Sequence, residues 1–130
     1  MDIVVGYIES PEGEAALERA IEEARLRSGR LVVVHSKKGG DDRGEDYART
    51  AAALAAIHER LESEGVAHEI REFVRGNTPA EDLMEAARTH EAELIVIGIR
   101  ARSATGKLVL GSTALDILHD SPVAVLCVKA

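Results

Sequence analysis

Short runs of consecutive apolar residues alternate along this chain with longer segments in which apolar residues recur every three or four positions. The runs rich in Val, Ile and Leu are residues 2–8, 30–36, 93–98 and 123–129. Such runs predict strands that are buried on both faces, as is typical of a parallel sheet. Residues 66–74 alternate more and carry charge, so we interpret them as an edge strand that its charges protect from aggregation.

Four helical patterns separate these strands, at residues 11–29, 46–65, 78–92 and 112–121. Ser10 and Thr78, each followed by a proline, are predicted N-caps because a hydroxyl side chain and a proline both suit the start of a helix. Gly29 is predicted to close the first helix as a C-terminal cap, and Gly65 is predicted to end the second.

The predicted order of elements is β-α-β-α-β-α-β-α-β, with neither an internal repeat nor an interdomain linker. Right-handed crossovers turn this order into a doubly wound α/β fold, which we expect to form a single Rossmann-like domain over residues 1–130. The expected sheet has five parallel strands in the order 3-2-1-4-5, with helices on both faces. Ligands bind such sheets where the strand order reverses, at the carboxyl ends of the first and fourth strands.

Composition narrows the class of protein. Apolar residues make up 45% of the 130 residues and charged residues 30%, which is typical of a globular protein. No apolar run approaches the roughly 20 residues that span a bilayer. The lone Cys127 excludes an internal disulfide, so the predicted location is the cytoplasm. The net charge of −7 argues against a general nucleic-acid binder, which needs a basic face.

The segment after the fourth strand differs from the acidic remainder of the chain. It begins at Gly98, contains Arg100, Arg102 and Lys107, and leads into a Gly-Ser-Thr triplet at residues 111–113. Backbone N–H groups at a helix start, two hydroxyls and three cations are together suited to bind an anion such as phosphate. Ordinary turn and cap chemistry explains the same glycines and hydroxyls, so both interpretations stay open at this point.

This segment is not a Walker A loop, because Leu108 stands where a Ser or Thr would hold magnesium and Ala101 where the first glycine is required. Its spacing, Gly98-x2-Ala101-x9-Gly111-Ser112, is instead similar to the pattern Gly-x2-Gly-x9-Gly-Ser/Thr of the universal stress protein family. Residues 3–20 also match the usual first strand and helix of that family in spacing, without gaps. The resemblance covers essentially the whole chain.

The resemblance implies a Rossmann-like fold of the adenine nucleotide alpha hydrolase-like type. It also implies a homodimer through the last strand, at residues 123–129. In one subgroup of the family it implies binding of ATP or a related adenine nucleotide, with Mg²⁺ as a candidate companion. A role in stress survival without strong enzymatic activity is the corresponding expectation for function.

The family's phosphate-binding residues carry over in large part. Gly98, Gly111 and Ser112 stand at positions that contact ribose and phosphate in the family, and Thr113 adds a further donor. Ala101 replaces the second glycine of the pattern, and its methyl group obstructs close approach of the backbone to a phosphate.

The turn after the first strand departs further from the family. Ile8 stands where nucleotide-binding members carry an aspartate, so the resemblance implies that recognition of adenine or ribose is weakened or rearranged. Glu9 and Gly13 replace small and hydroxyl residues of the same turn. The remaining residues of the predicted site lie at the ends of the first two strands: Gly6, Tyr7 and Ser36.

The other chemistry-bearing residues favour structural roles. His35 ends the second strand, and we interpret it as a histidine whose hydrogen bonds are satisfied there. His58, His68, His90 and His119 stand at no metal-ligand spacing, so no metal site is predicted. No arrangement of nucleophile, base and orienting group is recognisable, which favours binding over catalysis.

The predicted function is therefore binding of ATP, ADP or AMP in a stress response, by a dimer whose exposed last strand pairs with its twofold mate. Two alternatives stay open. A nucleotide-free dimeric scaffold or chaperone-like protein is favoured by Ile8 and Ala101, and a weak nucleotide hydrolase is favoured only by the cations. Neither a nucleic acid nor a membrane is an expected partner.

Overall fold

The computed structural model describes residues 1–36, 45–73, 77–100 and 110–130. Five strands and four helices alternate in this part of the chain, as the apolar pattern predicts. The strands are β1 (Asp2–Gly6), β2 (Arg30–Ser36), β3 (His68–Phe73), β4 (Leu94–Ile99) and β5 (Ala124–Lys129). The helices are α1 (Pro11–Arg27), α2 (Glu45–Ser63), α3 (Pro79–Thr89) and α4 (Ser112–Asp120).

All five strands run parallel in one sheet of order β3-β2-β1-β4-β5, which confirms the predicted topology. β1 lies at the centre, where Val4 aligns with Val32 of β2 and with Ile95 of β4. These three side chains are fully buried, because layers on both faces cover the central strands, and this explains their continuous apolar runs. The strand order reverses between β1 and β4, so the carboxyl ends of these strands border a crevice.

Helices cover both faces of the sheet, as predicted. Ile3 of β1 packs in one layer with Leu17 of α1 and Leu61 of α2. Val4 packs in the opposite layer, to which α4 contributes Ile117. Successive side chains of a strand point to opposite faces, so one apolar run supplies both layers. No helix in the described part of the chain is long and apolar enough to cross a membrane.

Two helices begin with the predicted caps. Ser10 Oγ accepts a hydrogen bond from the Gly13 N–H at 3.0 Å. Thr78 forms a capping box with Glu81, in which each side chain accepts a hydrogen bond from the backbone N–H of the other residue. These side chains satisfy backbone donors that the geometry of a helix start leaves unpaired.

The end of α1 differs from the prediction. Ser28, not Gly29, adopts the left-handed conformation, with a φ of 53°. Gly29 follows it and donates its N–H to the Ala24 carbonyl oxygen at 2.8 Å. In this type of helix C-cap, the left-handed residue comes directly before the residue whose N–H closes the longer hydrogen bond. The cap was predicted at Gly29 and lies at Ser28, so the prediction was wrong by one residue. Gly65 has a φ of 71° and closes α2 as predicted.

Three strands are shorter than predicted, and one of them, β5, begins at Ala124 rather than at residue 123. β1 ends at Gly6 rather than at residue 8, because the Ser10 N–H donates to the Ile8 carbonyl oxygen at 2.9 Å and turns the chain toward α1. β3 begins at His68 rather than at residue 66. The shortening of β1 places residues 7 and 8 after the strand, beside the crevice between β1 and β4.

Candidate functional site

A cleft of about 520 Å³ opens at the carboxyl ends of β1 and β4. Eight of the predicted site residues line it: Gly6, Tyr7, Ile8, Ser36, Gly98, Arg100, Gly111 and Thr113. Ser112 begins α4 beside Thr113 but is not among the lining residues. Ala101, Arg102 and Lys107 lie outside the described residues. Eight of the nine described residues of the predicted site are thus brought together at the reversal of the strand order.

Apolar side chains form much of the surface of the cleft. Sequence reasoning missed these residues: Val34, Pro79, Leu83, Ile97, Ile99 and Ala114. They lie near the ends of β2 and β4 and in the first turns of α3 and α4. Their positions in the sequence, at the end of a predicted strand or the start of the following helix, could have identified them. Such positions converge at the carboxyl edge of a parallel sheet.

Gly98 serves the packing of the chain against itself. A Cβ atom at this position would overlap the carbonyl oxygen of Glu12 in the first turn of α1. Gly13 shows the same property, since its Cβ would overlap the carbonyl oxygen of Ile8. The family resemblance places Gly98 at a position that contacts the ligand, and the structure shows that α1 approaches this position closely. Two glycines therefore let the first turn of α1 rest on the ends of β1 and β4.

The start of α4 has no side-chain cap among the described residues. Gly111 is its N-cap, with φ −72° and ψ 169°. A Cβ atom added at Gly111 would meet no atom within 4 Å among the described residues. The first intrahelical acceptor is the Gly111 carbonyl oxygen, which receives the Leu115 N–H at 3.1 Å. No described side chain therefore occupies the backbone N–H groups at the start of α4, where the helix dipole favours negative charge.

Tyr7 contributes to the core as well as to the cleft. Its side chain is 4% exposed, and its hydroxyl donates a hydrogen bond to Glu14 Oε1 at 2.6 Å. Burial raises the pKa of Tyr7 above its usual range, and the hydrogen bond to Glu14 raises it further. The hydroxyl is therefore a neutral donor that is already used. His35 Nδ1 lies 3.1 Å from the Tyr7 carbonyl oxygen, so one ring nitrogen of this histidine is paired at its strand end.

Ser36 connects the cleft to a buried carboxylate. Its hydroxyl donates to Oδ2 of Asp82, in the first turn of α3. Asp82 is 1% exposed, and its Oδ1 has no hydrogen-bond partner among the described residues. The N-terminal dipole of α3 favours a negative charge at this position. Sequence reasoning missed Asp82, because an acid in the first turn of a helix is common and nothing in its spacing marks it as buried.

The described residues that line the cleft carry two formal charges, on Glu12 and Arg100. Arg100 Nε lies 3.9 Å from Glu12 Oε1, and the arginine side chain is 71% exposed. An exposed pair at this separation is weak, so Arg100 remains free to turn toward an anion. Ile8 is 53% exposed and presents an apolar surface where the family resemblance leads one to expect a carboxylate.

Comparison with known proteins agrees with this fold. The model of the universal stress protein family matches residues 1–129. A universal stress protein of Mycolicibacterium smegmatis is 42% identical over 127 residues, which is 98% of this chain and 96% of the relative.

Two solved structures extend the comparison. A universal stress protein of Archaeoglobus fulgidus is 40% identical, with a TM-score of 0.84, 99% of this chain covered and 98% of the other. A second structure, of the universal stress protein from Archaeoglobus fulgidus in complex with dAMP, is 33% identical, with a TM-score of 0.77 and the same coverage of 99% and 98%. The chain belongs to the universal stress protein family.

Proposed function

We propose that this protein, as one cytoplasmic domain over residues 1–130, binds an adenine nucleotide in the cleft and acts in a stress response through binding rather than turnover. The observation that carries the proposal is the start of α4, which no described side chain caps and which borders a cleft of about 520 Å³. This volume lies within the range of roughly 300–1,000 Å³ typical of small-molecule sites. The dAMP complex of a relative 33% identical to this chain supports the same class of ligand.

In this proposal the phosphate groups lie at the start of α4. The N–H groups of its first turn and the Thr113 hydroxyl donate hydrogen bonds to them. Arg100 turns from Glu12 to the phosphates, since a pair 3.9 Å apart and largely exposed holds it weakly. The base lies against apolar side chains of the cleft such as Val34 and Leu83. Apolar walls with a few polar groups are typical of sites that bind a flat organic ligand.

The proposal includes ATP, ADP and AMP, with Mg²⁺ as a candidate companion of a di- or triphosphate. We favour binding over turnover because Glu12 is the one carboxylate among the described residues that line the cleft, and it faces Arg100. A general base for hydrolysis needs a position within hydrogen-bond reach of the attacking water and a group that orients it. A nucleotide-free scaffold is the second candidate, because the exposed Ile8 removes an expected hydrogen-bond acceptor.

Thermal denaturation of protein refolded free of ligand tests the proposal, with AMP, ADP and ATP each added at millimolar concentration. A ligand at about 100 times its Kd stabilises the folded state by about 2.7 kcal/mol, which gives a clear rise in Tm. Absence of a shift with all three nucleotides, with and without Mg²⁺, would refute nucleotide binding and leave the scaffold as the function.

Substitution of Gly111 locates the ligand. Gly111→Asp places a carboxylate at the N-cap, where it accepts the free N–H groups and repels phosphate, so we expect the nucleotide shift to be lost while the free protein stays folded. Gly111→Ala is the matched control, because its Cβ meets no described atom within 4 Å and brings no charge. Equal shifts in the two variants would place the phosphates away from α4.

We further propose a homodimer through residues 123–129. β5 is an edge of the sheet, and its residues from Val125 to Val128 are only partly buried. The Ala130 N–H donates to the Ile99 carbonyl oxygen of β4. Because alternate residues of a strand point their N–H groups to opposite sides, those of Val125 and Cys127 face the open edge. Antiparallel pairing of two such edges would satisfy them in an isologous contact.

Val125→Pro tests the dimer without removing a bond inside the sheet. The proline removes an outward N–H and its ring obstructs a new ladder, while the ladder between β4 and β5 keeps its donors. We expect light scattering to give a dimer for the parent protein and a folded monomer for the variant at micromolar concentration. A monomeric parent would refute the strand-paired dimer, and so would a variant that remains dimeric.

A further inference from the structure

Three potential metal ligands meet at the amino edge of the sheet, opposite the cleft. His58 and Glu62 lie on α2, and His68 is the first residue of β3. One ligand atom from each residue can be chosen so that all three lie within 4.8 Å of one another. His68 aligns with Leu31 at the start of β2, whereas the cleft lies at the carboxyl ends of the strands. The cluster is therefore separate from the proposed nucleotide site.

The fold explains why these side chains meet. His58 and Glu62 are four residues apart on one helix, so they share a face. After α2, Gly65 adopts a left-handed conformation with φ 71° and turns the chain back into β3. His68 lies on the same face of β3 as Ile70, which packs in the layer formed by α1 and α2. The strand thus directs the His68 ring toward α2.

His68 is oriented as a metal ligand would be. Its Nδ1 lies 2.8 Å from the Val66 carbonyl oxygen. A carbonyl oxygen only accepts hydrogen bonds, so Nδ1 carries the proton and Nε2 of the neutral ring has a free lone pair. In metal sites a ligating histidine commonly donates its other N–H to a backbone carbonyl, which fixes the tautomer and the ring. Val66 supplies that carbonyl here.

The free lone pair of His68 faces the other histidine. His68 Nε2 lies 2.8 Å from His58 Nδ1, and the centroids of the two imidazole rings are 4.9 Å apart. His58 Nδ1–H donates to His68 Nε2 in this arrangement, and His58 Nε2 lies 4.0 Å from Glu62 Oε1. Transfer of the proton from Nδ1 to Nε2 of His58, through solvent, converts one neutral tautomer into the other. Both facing nitrogens then carry lone pairs, and their separation of 2.8 Å widens to about 3.3 Å when each lies about 2.0 Å from a tetrahedral metal ion.

We propose that His58, Glu62 and His68 bind a divalent transition-metal ion, for which Zn²⁺ is the probe. Two imidazole nitrogens and one carboxylate oxygen suit Zn²⁺ or Co²⁺, whereas Mg²⁺ and Ca²⁺ prefer oxygen ligands alone. The side chains of His58 and Glu62 are 56% and 65% exposed, so the ion has access from solvent and water completes its coordination. The bound ion joins the last turns of α2 to the start of the edge strand β3.

Neighbouring charges leave the cluster unobstructed. The nearest described cation in sequence, Arg60, donates to Glu18 and Glu64 and is held by that pair of carboxylates. Glu69, next to His68, faces the other side of the strand, where it contacts Arg30 and His90. Arg60 therefore does not compete with the metal ion for the three ligands, and Glu69 does not compete with the ligands for the ion.

Calorimetric titration of Zn²⁺ into protein without a histidine tag tests the site. We expect one ion per chain, a rise in Tm with Zn²⁺, and no binding of Mg²⁺ or Ca²⁺. His58→Ala and His68→Ala should each weaken binding at least about tenfold, since loss of a supporting group alone costs that much. His119→Ala on α4 is the control, because it removes an exposed histidine outside the cluster. Bound Co²⁺ should show visible absorption that both cluster variants lose.

His58 is exposed on its helix, so the His58→Ala variant is expected to fold even if His68→Ala does not. Failure of the parent protein to bind Zn²⁺ at millimolar concentration would overturn the proposal. Unchanged affinity in His58→Ala would also overturn it, because the ion would then lie elsewhere. Zn²⁺ binding should persist in Gly111→Asp, which makes this result independent of nucleotide binding.

Discussion

The first turns of α1 and α4 border the same cleft but differ in how each helix start is capped and packed. At α1, Ser10 accepts a hydrogen bond from Gly13 N–H, and a Cβ at either Gly13 or Gly98 would overlap a backbone carbonyl oxygen. At α4, Gly111 supplies no side-chain cap, and a Cβ atom added to it would meet no described atom within 4 Å. The chain itself closes the start of α1, whereas no described residue caps the start of α4, which we propose receives a ligand.

This difference shows that glycines in one strand-to-helix region serve two purposes. Gly98 has no side chain because α1 occupies the place of its Cβ atom. Gly111 has no side chain and therefore supplies no cap for the donors of its own helix. The first arrangement stabilises the fold by close packing, and the second leaves polar backbone groups for binding, at some cost to the free protein.

The largest expected effect comes from adding a methyl group at Gly98, where α1 packs closely against β4. Gly98→Ala forces β4 and α1 apart, because its Cβ would overlap the Glu12 carbonyl oxygen and backbone cannot move as a flexible side chain does. We expect the free energy of unfolding to fall by about 3 kcal/mol, at the upper end of overpacking effects. Urea denaturation measures it, with Gly111→Ala as the matched control. Similar stabilities for the two variants would contradict the contrast between the two helix starts.

The two glycines also show where sequence reasoning ends. The apolar runs predicted the strands, their order and the edge at which the cleft lies, because burial on both faces leaves a strong pattern. Gly98 and Gly111 were both located, but the spacing left ligand binding and turn chemistry equally open. Whether a glycine accommodates the chain or a ligand depends on how closely another element approaches, and this is decided only by the tertiary packing.

The histidines show a second limit. The spacing of His58 and His68 predicts no metal site, yet their rings meet across the end of α2. Their separation of ten positions has no fixed meaning until the turn at Gly65 and the face of β3 are known. Likewise, Asp82 is buried beside Ser36 without any signal in the sequence, because its burial depends on how α3 packs against β2.

The next expected effect concerns ligand recognition beside the closed start. Ile8 is 53% exposed and lines the cleft two residues before the N-cap of α1. Ile8→Asp adds a hydrogen-bond acceptor for ribose or base at that place, so we expect adenine-nucleotide affinity to rise about tenfold, or 1.4 kcal/mol. Calorimetry measures it, with Ile8→Ala as the control that removes the apolar surface without adding an acceptor. Equal affinities of parent protein and Ile8→Asp would place Ile8 outside the ligand's reach.

A smaller effect is expected when the side-chain cap of α1 is removed. Ser10→Ala leaves the Gly13 N–H without its side-chain acceptor, whose hydrogen bond is 3.0 Å long in the parent protein. Loss of such an N-cap lowers the free energy of unfolding by about 1 kcal/mol. Urea denaturation should show this loss with unchanged nucleotide affinity, because Ser10 is not among the residues that line the cleft. A fall in affinity equal to that of Gly111→Asp would mean that α1, not α4, receives the phosphates.

The smallest effect is expected when a neutral side-chain cap is added at the start of α4. Gly111→Ser adds a hydroxyl that accepts a hydrogen bond from an N–H in the first turn of α4, and the φ of −72° is compatible with any residue. Glycine is itself an acceptable N-cap, so the gain in the free energy of unfolding is only a few tenths of a kcal/mol. The same hydroxyl competes with phosphate for that N–H, and nucleotide affinity should fall by a similar small amount. Paired urea and calorimetric titrations of Gly111→Ser and Gly111→Ala measure both quantities. A Gly111→Ser variant that gains stability and also binds nucleotide more tightly would show that the hydroxyl assists the ligand, and that α4 does not hold its start open for phosphate.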